Sequence, residues 1–330
     1  MASVTASTPL IGATGTFAGV NVSGSFIPTL WSAKLNQKFY KSTVFGEIAN
    51  TSYEGEISSL GDKVVINNRP DITISDYQVG TSLSYQVPAP STVELPIDRA
   101  KYFAFQVNDV VEHQSQPKLM DMFSDDAAMQ MKIAIDTSVL LGTSTKQGIW
   151  NDVPAANQGA TAGAISGGYN LGTATAPITL TANNVLATLT ALAGVLDEQN
   201  IPETERWLLI DPLTRQILMQ SNLAQAQFMG DDKSMVRNGK IGMIDRFTVY
   251  VTNNLPKAAA TQDYFGAAAA GTAKRRLIMA GHKSAVTFAS QMTKMETVRN
   301  PSDFGDYVRG LNVYGYKTII PTGLASALVA

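Results

Sequence analysis

The chain of 330 residues has no cysteine, so neither a disulfide framework nor a thiolate metal site is open to it. Its two histidines, His113 and His282, stand far apart in sequence. They nominate neither a histidine-rich metal site nor a catalytic triad. No run of 18 apolar residues occurs, which excludes a helix that spans a bilayer by hydropathy, and no membrane partner is expected. The first 24 residues carry no basic stretch leading into an apolar run, so they do not read as a secretion signal. The expected location before assembly is therefore the cytoplasm. Charge is scarce as well: Asp, Glu, Lys and Arg make up 16% of the chain, with a net charge of -2, against roughly 25% charged residues in an ordinary soluble protein. A surface largely covered by neighbouring copies would account for this, because interface cores are depleted in charge. A lineage bias toward Ala, Thr and Asn would give the same totals. What remains is a globular composition, 45% apolar and 8% aromatic, long enough for two lobes or one elaborated domain.

Residues 1–26 show no periodicity and read as an arm that needs a partner to be ordered. From Pro28, Leu30, Trp31, Leu35, Phe39 and Tyr40 recur near helical spacing, with Gly46 near the end of that short helix. Residues 52–111 are strand-like and broken by turn signals. Residues 63–74 are poor in large aromatics, so a hairpin there has little core of its own and is expected to project onto a neighbour. Tyr102, Phe103, Phe105, Val107 and Val110 read as a strand packed into the body. A long helix is expected over 117–141, with Pro117 in its first turn, Gly142 at its stop, and Leu119, Phe123, Ala127, Met131 and Ala134 on one apolar face. After a Gly/Ala/Thr/Asn-rich stretch at 143–178, Thr181 caps a second helix carrying Val185, Leu189, Leu192, Val195 and Leu196. A buried strand at 206–210 follows, then a helix opened by Asp211-Pro212. Further strands are expected at 247–252, 276–279 and 311–320.

No chemistry stands out. The string Gly12-Ala13-Thr14-Gly15-Thr16-Phe17-Ala18-Gly19 resembles a dinucleotide-binding loop only superficially, because that loop needs a buried strand before it and a helix after it. The acidic pairs Asp125-Asp126, Asp231-Asp232 and Asp303/Asp306 read as solvated charge. Lys274-Arg275-Arg276 reads as a loop edge with at most a weak contact to nucleic acid. No catalytic, cofactor-binding or metal-binding residue is nominated; no cofactor is expected, and the chain does not read as an enzyme.

Several strings together resemble the major capsid proteins of tailed bacteriophages, which share the Hong Kong 97-type fold with herpesvirus shell proteins. GDKVVINNRPDITISDYQVGTSLSYQ (61–86) is similar to their extended loop, and ELPIDRAKYFAFQVNDVVEHQ (94–114) to the strand that returns to the peripheral domain. LDEQNIPETERWLLIDPLTRQIL (196–218) resembles the helix, strand and helix of the axial domain. GKIGMIDRFTVYVTNNLP (239–256) resembles a later hairpin, and FGDYVRGLNVYGYKTIIPTGLA (304–325) the closing peripheral strands. The resemblance implies an α+β chain with a peripheral domain, an axial domain, a long spine helix, an extended β-hairpin loop and an N-terminal arm. The implied division is 1–50 for arm and short helix, 51–95 for the extended loop, 96–142 with 291–330 for the peripheral domain, and 143–290 for the axial domain. It implies a structural coat subunit that assembles into pentamers and hexamers around phage DNA, in the virion. Its partners would be further copies of itself, a portal, a decoration protein, packaged DNA, and a separate scaffolding protein, because about 26 unpatterned residues stand where many relatives have a domain-sized scaffolding region. Asp62, Lys63, Arg69 and Asp71 on the projecting hairpin, and Gly230 in the 222–238 loop, are the expected inter-subunit contacts. Some relatives crosslink a lysine to an asparagine; Lys63 has no asparagine partner that can be named, and no crosslink is expected. Two alternatives compete: another virion protein from tail or decoration, which the long helix counts against, and a nucleotide-dependent oxidoreductase resting on the glycine string alone.

Overall fold

The structure is a computed structural model, and the residues described are 16–17, 20–21, 43–52, 63–68, 70, 72–80, 82–88, 91–108, 119–142, 148–221, 242–257, 275–302 and 304–330. In chain order the elements are β1 (Thr16–Phe17), β2 (Val20–Asn21), α1 (Phe45–Ile48), β3 (Lys63–Asn68), β4 (Ser91–Pro96), β5 (Arg99–Asn108) and α2 (Leu119–Leu140). They continue with α3 (Val185–Glu198), β6 (Arg206–Ile210), α4 (Pro212–Met219), β7 (Met243–Ile244), β8 (Phe247–Val251), β9 (Arg276–His282), β10 (Val286–Arg299), β11 (Gly305–Thr318) and β12 (Leu324–Val329). Of the glycine string only Thr16 and Phe17 are described, and they pair with Asn21 and Val20 in the antiparallel β1–β2 pair. No helix among the described residues is long and apolar enough to cross a membrane.

Two sheets carry the subunit. In the first, β11 lies antiparallel between β10 and β5, with a register shift between Ser290 and Met292. Strand alternation points Phe103, Phe105 and Val107 to one face of β5, and α2 covers that face, with the Phe105 and Phe123 rings edge-on at 5.8 Å. Near the other end of the helix the Tyr316 hydroxyl donates to the Ser138 carbonyl at 2.6 Å, and Arg99 donates to the Ser138 hydroxyl at 3.2 Å. At 1.5 Å per residue, α2 spans about 33 Å. Its buried face is Ile135, Val139 and Leu140 with Met131, so the apolar stripe expected through Phe123 and Ala127 is deepest only toward the C-terminal end. Phe123 remains 39% exposed.

The second sheet has the order β12-β9-β6-β8-β7, with β6 and β8 parallel and the other pairs antiparallel. It is buried on both faces. Leu208 and Ile210 of β6, Ile278 and Ala280 of β9, and Ala325, Ala327 and Val329 of β12 face α3 and α4. The alternate residues Trp207, Leu209, Leu277, Met279 and Leu324 face the end of α2, α1 and the start of β10. The result is three layers, with this sheet in the middle. β12 belongs here, paired with β9. Its small side chains let it lie flat between two packed layers.

Local signals explain the helix starts. Asp211 accepts the Thr214 amide at 3.2 Å and the Thr214 hydroxyl, with Pro212 in the first turn of α4. Burial alone would raise the Asp211 carboxyl, but the Thr214 hydroxyl and the Arg276 guanidinium at 3.1 Å together hold it below the usual carboxylate range. Thr181 does not cap α3. Its amide instead donates to Asn184 Oδ1 at 2.7 Å, forming the turn that precedes the helix. Gly46 lies inside α1 rather than ending a helix.

Candidate functional site

The hairpin β3–β4 is held at its base. Its register runs from Lys63 opposite Pro96 to Asn68 opposite Ser91. Leu95 and Ile97, at the foot, are buried with Ala289 and Val313 and flanked by Val64 and Leu311. The chain crosses β11 where Gly315 offers no side chain: a Cβ there would overlap the Pro96 carbonyl oxygen and stand 3.0 Å from the Ile97 Cα. The foot is thus fixed to β10 and β11 by packing that needs a glycine at 315.

Beyond the paired strands the two limbs, 72–80 and 82–88, run on without a strand ladder. The Thr73 amide donates to Gln86 Oε1 at 3.1 Å between them. Along these limbs Ile72, Ile74, Tyr77, Val79, Leu83, Tyr85 and Val87 are all exposed, Val79 at 92% and Val87 at 93%. Leu83, Tyr85 and Val87 alternate with Ser84 and Gln86, so in extended chain they share one face. Together they form a contiguous exposed apolar strip, of the kind that gains free energy when another surface covers it. Residues 63–74 are poor in large aromatics, as expected, but the limbs as a whole are not poor in apolar groups.

Of the expected contact residues, Lys63 is at the foot of the hairpin, where its ammonium pairs with Glu94 of its own chain at 2.6 Å, both side chains more than half exposed. Its charge is therefore engaged within the hairpin. Asp62, Arg69, Asp71 and Gly230 lie outside the described residues, as do most of the arm, the helix expected from Pro28, the 222–238 loop, His113, Asp231, Asp232, Asp303 and Lys274. Asp306 pairs with Arg299 across β10 and β11 at 3.2 Å. Arg275 and Arg276 are buried, not at a loop edge: Arg276 is paired with Asp211, and Arg275 donates to the Ala174 carbonyl at 2.9 Å. Burial lowers the His282 imidazole below its usual range, with Glu205 opposing, and its Nδ1 accepts the Ser284 amide at 3.2 Å. That is the geometry of a turn cap.

A second surface was missed by sequence reasoning. The face of the three-stranded sheet away from α2 bears Tyr102, 80% exposed, with Tyr307 and Val298. Tyr102 had been expected in the body, although the β5 alternation that buries Phe103 and Phe105 turns it outward. Beside it Glu296 joins Lys294 at 2.5 Å and Arg309 at 2.6 Å, and those cations, Lys294 first, lower its carboxyl. On the opposite face, a groove of about 250 Å³ between α2 and the sheet is lined by Phe103, Met131, Ile135 and Met295 with Lys132. Among the described residues no three His, Asp or Glu side chains converge on a point. The surfaces present are suited to association.

The family described as phage capsid protein matches residues 93–327. Among solved structures, the chain is similar to one from Mycobacterium phage Che8, with 24% identity, 92% of this chain and 97% of that chain covered, and a TM-score of 0.70. It is similar to the capsid of cyanophage P-SCSP1u, with 18% identity over 94% and 96% of the two chains and a TM-score of 0.65. A third similar structure is the capsid of a native GTA particle, with 13% identity over 98% and 100% and a TM-score of 0.62. No curated protein matches the chain. These likenesses give the fold, of the Hong Kong 97 type, and the family match gives the role, which is structural and located in the virion. The three-layered lobe, the spine helix α2 and the anchored hairpin are the architecture of a capsid subunit, and the chain belongs to the phage capsid protein family.

Proposed function

We propose that this chain is the shell-forming subunit of a phage head, associating with copies of itself into pentamers and hexamers. The five-stranded sheet with α3 and α4 is the lobe that meets at the symmetry axis. The three-stranded sheet with α2 forms the periphery, and the hairpin crosses to the adjacent copy. Closed rings of two sizes need one surface tolerant of two geometries, and the 222–238 loop with Gly230 is assigned that tolerance. The observation that carries the reading is the apolar strip on limbs 72–88, with Tyr85 88% exposed, set on a stem whose foot is buried. An apolar strip so placed gains free energy only when another surface covers it. The scarcity of charge, 16% of residues, supports a chain mostly covered by its own kind. Asp62, Arg69 and Asp71 are assigned to the flank of that contact, and the arm at 1–26 to a neighbour's surface. A separate scaffolding protein, a portal, a decoration protein and weak contacts with packaged DNA complete the proposed partners.

Hydrogen exchange on free subunits and on assembled particles tests this. Peptides covering 72–88 should exchange rapidly in the free subunit and become protected by at least tenfold on assembly. Equal protection in both states would overturn the assignment of the hairpin to a neighbour.

A further inference from the structure

Asp136, on α2, is fully buried, yet among the described residues no cation pairs with it. Its Oδ1 accepts the backbone amides of Val44 and Phe45, each at 2.9 Å, and its Oδ2 is 2.5 Å from Asn254 Nδ2. One carboxylate thus joins three pieces of chain: the start of α1, the spine helix, and the segment after β8 that belongs to the central layer. Just beyond α1, Asn50 is tied to β10, its amide to the Val286 carbonyl at 2.8 Å and its carbonyl to the Phe288 amide at 3.0 Å. Residues 44–50, which lead toward the hairpin, are therefore fixed at two points, and one of them is ionisable.

The second observation is on Asn254. It is 2% exposed, and its Oδ1 has no hydrogen-bond partner among the described residues. The two ends of a side-chain amide differ only in which of them donates. Against an ionised Asp136 the nitrogen must face Oδ2; against a protonated one the amide turned over by 180° accepts Oδ2–H instead. Either orientation leaves one amide atom over, so the proton on Asp136 decides between them.

We propose that Asp136 is a proton-operated bolt on the segment between the arm and the hairpin. Ionised, it grips the Val44 and Phe45 amides with charge-assisted bonds. Protonated from solvent, it donates to the turned amide of Asn254, and its grip on α1 weakens because a neutral acceptor forms roughly half as strong a bond. Burial raises the Asp136 carboxyl above its usual range, while the bonds from Asn254, Val44 and Phe45 pull it back. The ionisable groups on the elements packed around it are Glu47 on α1, Lys132 on α2, Tyr250 on β8, Lys257 after it, Arg99 on β5, Tyr314 and Tyr316 on β11, and Asp152. Of these, Lys257 reaches Asn253 at 3.3 Å and Arg99 lies over the Tyr316 ring at 4.1 Å; Arg276, on β9, is committed to Asp211. The bolt's effect on assembly rests on the reading of the hairpin given above; its existence does not.

The test is hydrogen exchange of the full-length, unassembled chain from pH 4 to 8, corrected for the intrinsic pH dependence of exchange, on peptides covering 43–50. In the wild type, protection at Val44 and Phe45 should fall roughly five- to tenfold as the pH drops through one step, while the β6 peptide keeps its protection. Asp136→Asn should lack the step. Asn254→Ala, which removes a donor to the ionised form, should move the step to higher pH and provides the test if Asp136→Asn does not fold. Protection without a step in the wild type, or a step that neither substitution alters, overturns the proposal. Subunits that fail to assemble but keep the step leave it standing and count only against the hairpin.

Discussion

Replacing Leu83, Tyr85 and Val87 together by serine separates assembly from folding. In the isolated subunit these side chains are 61%, 88% and 93% exposed, so the free chain gains little from them, and surface changes of this kind stay within about 0.5 kcal/mol of stability. Covered by a neighbour, each contributes about 1.5–3 kcal/mol, or roughly 4.5–9 kcal/mol for the three. Partial burial of Leu83 within its own chain and incomplete coverage at a contact argue for the lower end or just under it, about 4 kcal/mol per interface. At 1.4 kcal/mol per factor of ten, that is roughly a thousandfold in each association constant. Light scattering against protein concentration gives the threshold for assembly, and thermal unfolding of unassembled chains gives the stability. The triple variant should unfold at the wild-type temperature yet fail to assemble at concentrations where the wild type does. Assembly at the wild-type threshold would refute the assignment of this strip to a contact, and a loss of subunit stability would show that it packs at home.

Gly281→Ala should cost about 1–3 kcal/mol of subunit stability by overpacking, because a Cβ there would stand 2.6 Å from Trp207 and 2.8 Å from the Leu324 side chain; denaturant unfolding measures it. Arg276→Leu leaves the buried Asp211 carboxylate without its cation and should cost about 3 kcal/mol at neutral pH, the lower end for a broken buried pair, since Thr214 still donates to it. Because the folded Asp211 carboxyl is held below its usual range, the stability it contributes is full above about pH 4 and lost as pH falls through the folded value. The acid limb of a stability–pH curve should therefore flatten in Arg276→Leu. Lys63→Glu places two carboxylates together on an exposed stem and should cost under about 1 kcal/mol, with the charge-swapped double variant Lys63→Glu, Glu94→Lys regaining it in a thermal unfolding series.

Where the sequence carried local, one-residue signals, the structure was legible. The cap at Asp211, the proline after it, the fully buried strand 206–210 and the stop of the spine helix at Gly142 are each encoded within a few residues. The closing strands were harder. β10 alternates only in part, its period broken by the register shift between Ser290 and Met292, and its outward Lys294 and Glu296 make it look like loop. β12, with the sequence LASALV, has no alternation because both of its faces are buried, and its place beside β9 depends on a partner more than 40 residues upstream. The contact surface was misread for a related reason. The scarcity of large aromatics over 63–74 says nothing of the alternation at 83–87, which concentrates apolar groups on one face. Asp136 gave no local signal at all, since its partners, Val44 and Asn254, lie 92 and 118 residues away.

Electron microscopy of particles formed by the purified full-length chain tests the central claim most directly. The account predicts closed shells or ring-shaped capsomers of five and six copies, with residues 72–88 of each copy seated on the next. Only single 35.2 kDa subunits at every concentration, or shells in which those residues project free into solvent, would contradict it.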